Sequence, residues 1–163
     1  MKKSACLLLA FLLGGAMLVS SLARATSAIA PIQAASNIEV ISSEFGLFYD
    51  LDSDNPSFIP TNLVPLTPKQ SYGWVIQLNT NKPVIKWREE FTLPSKPEIW
   101  GIDESSSKTS ADGLTTTSER TVTSMDGVIF NIWDIAPGDP QGHYVMRVFV
   151  EGKLVATFEF DVQ

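Results

Sequence analysis

Asp50, Asp52 and Asp54, in Asp50-Leu51-Asp52-Ser53-Asp54-Asn55-Pro56, are the residues best spaced to gather oxygens around one ion. Alternate carboxylates are how a calcium loop presents its ligands. The stretch departs from the helix-loop-helix calcium motif at two positions. Counted from Asp50, the sixth position needs glycine and holds Asn55, and the twelfth needs glutamate and holds Thr61. Side-chain turns opening a proline-rich loop account for the same residues without an ion, so no metal ligand is assigned. His143 is the single histidine, which removes multi-histidine zinc sites. A Ser-His-Asp relay would have to recruit it from a strand edge, with no Gly-x-Ser-x-Gly elbow to expose the serine. Hydrolysis by a carboxylate pair needs only two acids at the right separation. The 18 acidic residues leave that chemistry open, and no spacing among them singles out a pair. No glycine-rich phosphate loop, basic-aromatic strip or amphipathic helix is present. No catalytic or cofactor-binding residue is assigned, no cofactor is expected, and the reading is of a protein that is not an enzyme.

The aromatic side chains are the remaining candidates for recognition. Trp74, Trp87, Trp100 and Trp133, with Phe48, Tyr49 and Tyr72, offer flat faces that stack on sugars or anchor protein partners when exposed. Trp74 and Trp87 are expected to fill the core. Trp100, in Pro97-Glu98-Ile99-Trp100-Gly101, borders a polar loop and could be core or surface.

The elements that must position these groups follow a processing signal. Lys2 and Lys3, the apolar run Ala5 to Val19, and Ala23-Arg24-Ala25 have the layout of a bacterial signal peptide, residues 1–25. The rival triplet Ala28-Ile29-Ala30 runs into Pro31, which suits an extended protease substrate poorly. The competing expectation is an uncleaved anchor, since Ser4 to Ala23 is free of charge and long enough to span a bilayer; Gly14-Gly15 weakens that helix. Cys6 lies too early for lipid attachment. Cleavage removes Lys2, Lys3 and Arg24, so the basic count falls from 12 to nine against 18 acidic residues, a net charge of −9. Such a field repels nucleic acid and anionic lipid. The remaining 138 residues contain no cysteine, which excludes disulfides and thiolate chemistry there and leaves stability to the core.

Residues 26–36 read as a flexible leader and 37–163 as one domain. No stretch of that domain keeps helical spacing over three turns, whereas period-two and β-branched runs recur between Pro, Gly, Asn and Asp clusters. Strands are predicted at Ile38–Tyr49, Tyr72–Asn79, Val84–Leu93, Glu98–Ile102, Thr115–Ser124, Val128–Trp133, His143–Val150 and Leu154–Val162. The last two form a hairpin turning at Glu151-Gly152. Its core faces are Tyr144, Met146, Val148 and Val150 on one strand, and Leu154, Ala156, Phe158, Phe160 and Val162 on the other. His143 then points to solvent. Asp50–Lys69 and Asp103–Gly113 are long connections, and the second is polar enough to be disordered at its tip and removable over Ser105–Ala111.

The stretch from Phe130 to Met146 resembles the corner between two strands of an immunoglobulin-like domain. Phe130, Ile132 and Ile135 match the apolar positions ending one strand. Asp139, Gly142, Tyr144 and Met146 follow the turn opening the next, with one residue extra between Asp139 and Gly142 and with Met146 where many members have cysteine. The resemblance implies an all-β, immunoglobulin-like antiparallel β-sandwich of seven to eight strands. It also implies that Tyr144 bonds back to the corner backbone as a tyrosine corner. Trp87 resembles the buried tryptophan of a central strand, in reach of the Met146 sulfur. Small secreted bacterial domains of this kind carry no one activity, since the sandwich hosts many roles.

These readings converge on a non-catalytic periplasmic or extracellular binding domain with a protein or glycan partner in the cell envelope, and with neither nucleic acid nor, after cleavage, membrane as partner. The alternatives are a small carbohydrate-active enzyme or accessory domain, marked by exposed aromatics beside two carboxylates in one groove, and a structural envelope component.

Overall fold

The computed structural model describes residues 38–101, 105–124 and 126–163. The signal peptide and the leader lie outside them. Ten strands form two sheets: β1 Glu39–Tyr49, β2 Ser57–Pro60, β3 Leu63–Val64, β4 Ser71–Asn79, β5 Val84–Thr92, β6 Ser107–Thr109, β7 Thr115–Thr123, β8 Val128–Asp134, β9 Gly142–Val150 and β10 Lys153–Val162. One sheet has the order β2-β1-β4-β8 and the other β3-β10-β9-β5-β7-β6. All pairings are antiparallel except β3 with β10. The chain thus crosses early from the first sheet to the far edge of the second, and the sandwich closes around the β9–β10 hairpin.

Period-two patterning explains the core. Tyr72, Trp74, Ile76 and Leu78 face inward from β4, and Ile85, Trp87 and Phe91 face inward from β5. Trp74 meets Trp87 edge to face across the sheets, ring centres 5.3 Å apart, and Phe45 stacks on Phe160 at 4.1 Å. Each such ring, fully buried, contributes about 1.5–3 kcal/mol from area alone. The β9–β10 turn is as expected: Glu151 at φ 49 and Gly152 at φ 81 are both left-handed, as a two-residue hairpin of matching twist requires.

Several expectations are corrected. Glu98–Gly101 is not a strand: Pro97 lacks a donor for a ladder and Gly101 turns left-handed at φ 58. Both long connections contain short strands, β2 and β3 in the first and β6 in the second. In place of a free tip at Ser105–Ala111, β6 pairs with β7, and the Ser107 and Ser118 hydroxyls bond at 2.7 Å. Leu154 leaves the core face of β10, because a bulge between Leu154 and Ala156 turns it outward to 41% exposure. Met146 lies opposite Phe91, whereas Trp87 lies opposite Val150. Four residues of strand, about 13 Å, separate Met146 from Trp87 along the sheet, so the expected sulfur contact is not made by these neighbours. Phe130 and Ile132 occupy the outer face of β8; Ile129, Asn131 and Trp133 take its inner side.

Candidate functional site

Among the described residues, one constellation of polar chemistry is sealed inside the sandwich and another is open at its end. The sealed one is centred on Glu89. Because Ile85, Trp87, Glu89 and Phe91 alternate on β5, the carboxylate is carried into the core with its apolar neighbours and is fully buried. Among the described residues its side-chain donors come from the opposite sheet. The Trp74 indole N–H donates to Oε2, the Trp133 indole N–H donates to Oε1 at 2.9 Å, and Asn131 Nδ2 reaches both oxygens at 3.2 and 3.3 Å. Burial pushes the carboxyl up from the ordinary glutamate value, against the opposing pull of the three donors and of Arg120. With no exposed surface the group cannot meet a substrate. What it can do is tie β5 to β4 and β8 without a covalent link. The sequence signal was available in the parity Trp87-x-Glu89-x-Phe91, which shares a face with three apolar residues.

The corner beside it is a tyrosine corner. Tyr144 is buried, and its hydroxyl donates to the carbonyl of Pro140 at 2.6 Å. Burial, then the nearby Asp139, pushes the phenol up from its ordinary value. Asp139 closes the turn by accepting from the Ala136 amide at 2.8 Å. Desolvation raises the Asp139 carboxyl against that bond.

The open constellation is a groove of about 750 Å³ at the end of the four-stranded sheet. The Asp50–Ser53 turn forms one wall, with Ser53 N bonded to Asp50 O at 2.9 Å. Lys69, Gln70 and Ser71 form the other wall, and Asp134 at the end of β8 completes it. Phe48 and Tyr49 supply rings, Tyr49 at 37% exposure. Asp50 at φ 54 and Lys69 at φ 69 both hold left-handed backbone, uncommon for residues with side chains and a recurrent mark of binding sites. Ser71 Oγ donates to Asp134 Oδ1 at 2.5 Å, which orients that carboxylate along the groove. Carboxylates, a primary amine and amide groups around two rings can accept and donate to hydroxyl-rich or cationic ligands.

Other predicted residues fall elsewhere. Asp50 and Asp52 line the groove and Asp54 does not; among the described residues no three Asp, Glu, His or Cys side chains come together as a metal-holding group. His143 is solvent-facing at 54% side-chain exposure, its ring nitrogens directed at Asp161, 3.0 Å, and Glu159, 3.5 Å. Trp100 is a clasp: half-buried, it meets Phe91 edge to face and donates to the Gly113 carbonyl at 3.0 Å. Trp74 and Trp87 are core, as expected. The groove joins residues from distant parts of the chain, so no local spacing announces it.

An immunoglobulin-like protein (PA1606) from Pseudomonas aeruginosa has a similar solved structure, at a TM-score of 0.54 and 18% identity, with 80% of this chain and 99% of that chain covered. Two further solved structures give lower scores. The soluble domain of PmoD from Methylocystis matches at 0.33 and 16% identity over 79% of this chain and 93% of that one. The DNA-bound alkylpurine DNA glycosylase AlkC of Pseudomonas fluorescens matches at 0.39 and 9% identity over 78% and 31%. No curated protein matches by sequence. The family model described as PM0630 beta sandwich domain matches residues 43–163. The chain belongs to that family and has an immunoglobulin-like β-sandwich fold.

Proposed function

We propose that the protein is exported to the periplasm or beyond and acts there as a non-catalytic binding domain, with the end of the four-stranded sheet as its recognition site. The observation that carries this reading is the groove itself, where an exposed ring and three carboxylates share one concave surface outside the core. Glu89, whose carboxyl is raised by burial, is closed off from it inside the core. Export rests on Lys2-Lys3, the apolar run after them and Ala23-Arg24-Ala25.

A photo-crosslinking residue placed at Tyr49, and separately at the exposed Thr121 on the other sheet, tests this in intact cell envelopes. Adducts from position 49 and none from 121 are expected. Adducts from 121 alone, or from neither, would refute the site. The same groove favours a second reading, a carbohydrate-active enzyme or accessory domain, because Tyr49 stands beside Asp50, Asp52 and Asp134. Oligosaccharide turnover lost on Asp52→Asn with the fold intact would replace the first reading by that one.

A further inference from the structure

The outer face of the four-stranded sheet is lopsided in both shape and charge. Three rows of side chains lie abreast across it. Phe130, Val75 and Glu44 form the first; Ile132, Gly73, Gly46 and Pro60 the second; Asp134, Ser71, Phe48 and Phe58 the third. The middle row has no side chain at its two central positions, and none can be added. A Cβ on Gly73 would stand 2.0 Å from the Asn131 carbonyl oxygen, and one on Gly46 2.2 Å from that of Ile59. Both glycines are buried by their neighbours, and Phe130, 57% exposed, and the Phe48–Phe58 ring pair at 4.9 Å flank this low middle row.

No lysine, arginine or histidine occurs in any of the four strands, which carry Glu39, Glu44 and Asp134. The other sheet holds Lys86, Arg88, Lys108, Arg120, Arg147 and Lys153. Several of these are engaged within their own face: Arg147 with Glu90 at 3.2 Å, Lys86 with Glu119 at 3.0 Å, and Arg88 over the Phe149 ring at 3.7 Å. Glu39 and Glu44 thus have no cation on the strands of their own sheet, while Asp134 shares its groove with Lys69.

We propose that this face docks a polypeptide segment that is both basic and apolar, an inference that rests on the binding reading above and names its partner class. An apolar side chain of the partner packs between the exposed Phe130 and the Phe48–Phe58 pair. Basic side chains on either side of it meet Glu44 and Asp134. Those two acids sit two strands and four residues apart, about 10 Å across and 13 Å along the sheet, a diagonal that an extended segment spans in about five residues. A second copy of the chain presenting the same face fits poorly, since it would set Glu44 and Asp134 against their like. Anionic lipid is repelled for the same reason.

Panning a displayed random-peptide library on the purified protein tests the inference. Enriched peptides should carry Lys or Arg about five positions apart with an apolar residue between. Their affinity should fall at least tenfold in Phe130→Ser and in Glu44→Lys, stay unchanged in Thr121→Lys, and weaken with salt. Both responsive positions are exposed, and an unchanged denaturant midpoint confirms the fold of each variant. Failure to enrich, enrichment of acidic peptides, or binding indifferent to both substitutions overturns the inference. Oligosaccharides bound by the protein and lost in Phe130→Ser, or a sedimenting dimer split by Phe130→Ser, overturn it too by giving the face another occupant. Crosslinks from position 49 that persist in Phe130→Ser and Glu44→Lys would sink this inference alone and leave the binding reading standing.

Discussion

Removing the Glu89 carboxylate tests the inter-sheet tie most directly. In Glu89→Ala the Trp74 indole N–H is stranded in a fully buried site, while the Trp133 and Asn131 donors, half-buried, can turn toward water. One buried donor left unpaired costs about 1–3 kcal/mol, and the two others and the space vacated add to it. Against a total of about 5–15 kcal/mol for a domain, that is a large fraction. Glu89→Gln keeps one oxygen for two donors and turns an NH₂ toward the third, so a smaller loss of about 1–3 kcal/mol is expected. Equilibrium urea unfolding followed by tryptophan fluorescence and by far-UV circular dichroism measures both. An Ala variant with the wild-type midpoint would refute the reasoning.

The pH dependence supplies an independent sign. Burial raises the Glu89 carboxyl in the folded chain above the glutamate value of 4.5. The folded state therefore binds more protons than the unfolded state between 4.5 and the raised value. The stability linked to that proton is fully present below 4.5 and drains away as pH rises through the folded value. Asp139, also raised by burial, acts in the same direction. Subtracting the Glu89→Gln profile from wild type removes the Asp139 part and should leave a difference that falls with rising pH. A difference that rises would mean the three donors outweigh desolvation.

Tyr144→Phe deletes the bond to the Pro140 carbonyl and keeps the ring, so about 1–3 kcal/mol should be lost in denaturant unfolding; an unchanged midpoint would remove the tyrosine corner's energetic role. Gly73→Ala forces β8 away from β4 and should cost about 1–3 kcal/mol or more, read in the same assay; a neutral result would mean the strands separate freely. Trp100→Phe removes the bond to Gly113 and should cost about 0.5–1.5 kcal/mol, with faster amide exchange at Gly113 and its neighbours as the local readout. Mass spectrometry of exported protein should find Thr26 at the N-terminus, and an intact Met1 in the membrane fraction would favour the anchor.

Long strands were legible because period-two or β-branched runs extend over seven or more residues, and β9 shows this plainly in Tyr144, Met146, Val148 and Val150. Short strands were not. β2, β3 and β6 have four, two and three residues, too few for alternation to rise above loop composition, and they exist because a neighbouring strand offers an unpaired edge. Tyr144 was legible because a corner is local, its acceptor only four residues away. The groove was half legible: Asp50, Asp52, Phe48 and Tyr49 drew attention by type, but Lys69 and Asp134 join them only through the pairing of β1 with β4 and β4 with β8. Glu89 is of a residue type that is mostly exposed, and only its parity with Trp87 and Phe91 marks it as buried.

The position of β8 shows why that buried acid matters to the fold as a whole. β8 is apolar on both faces, Ile129 and Trp133 on one and Phe130 and Ile132 on the other. Hydrophobic burial alone therefore discriminates weakly between the observed register and one slipped by a residue, which would exchange the faces. The slipped arrangement is the one suggested by the apolar spacing Phe130-x-Ile132. Glu89 distinguishes the two, because its carboxylate is served by donors from the inner face of β8, and Asn131 and Trp133 supply them only in the observed register. Trp74, opposite Asn131 on β4, fixes the third donor in the same row. In a domain with no cysteine after the expected cleavage site, directional bonds to one buried acid thus do what an inter-sheet disulfide does in many relatives of this fold. They select a register, and in doing so they turn Phe130 and Ile132 out onto the face proposed to meet a partner.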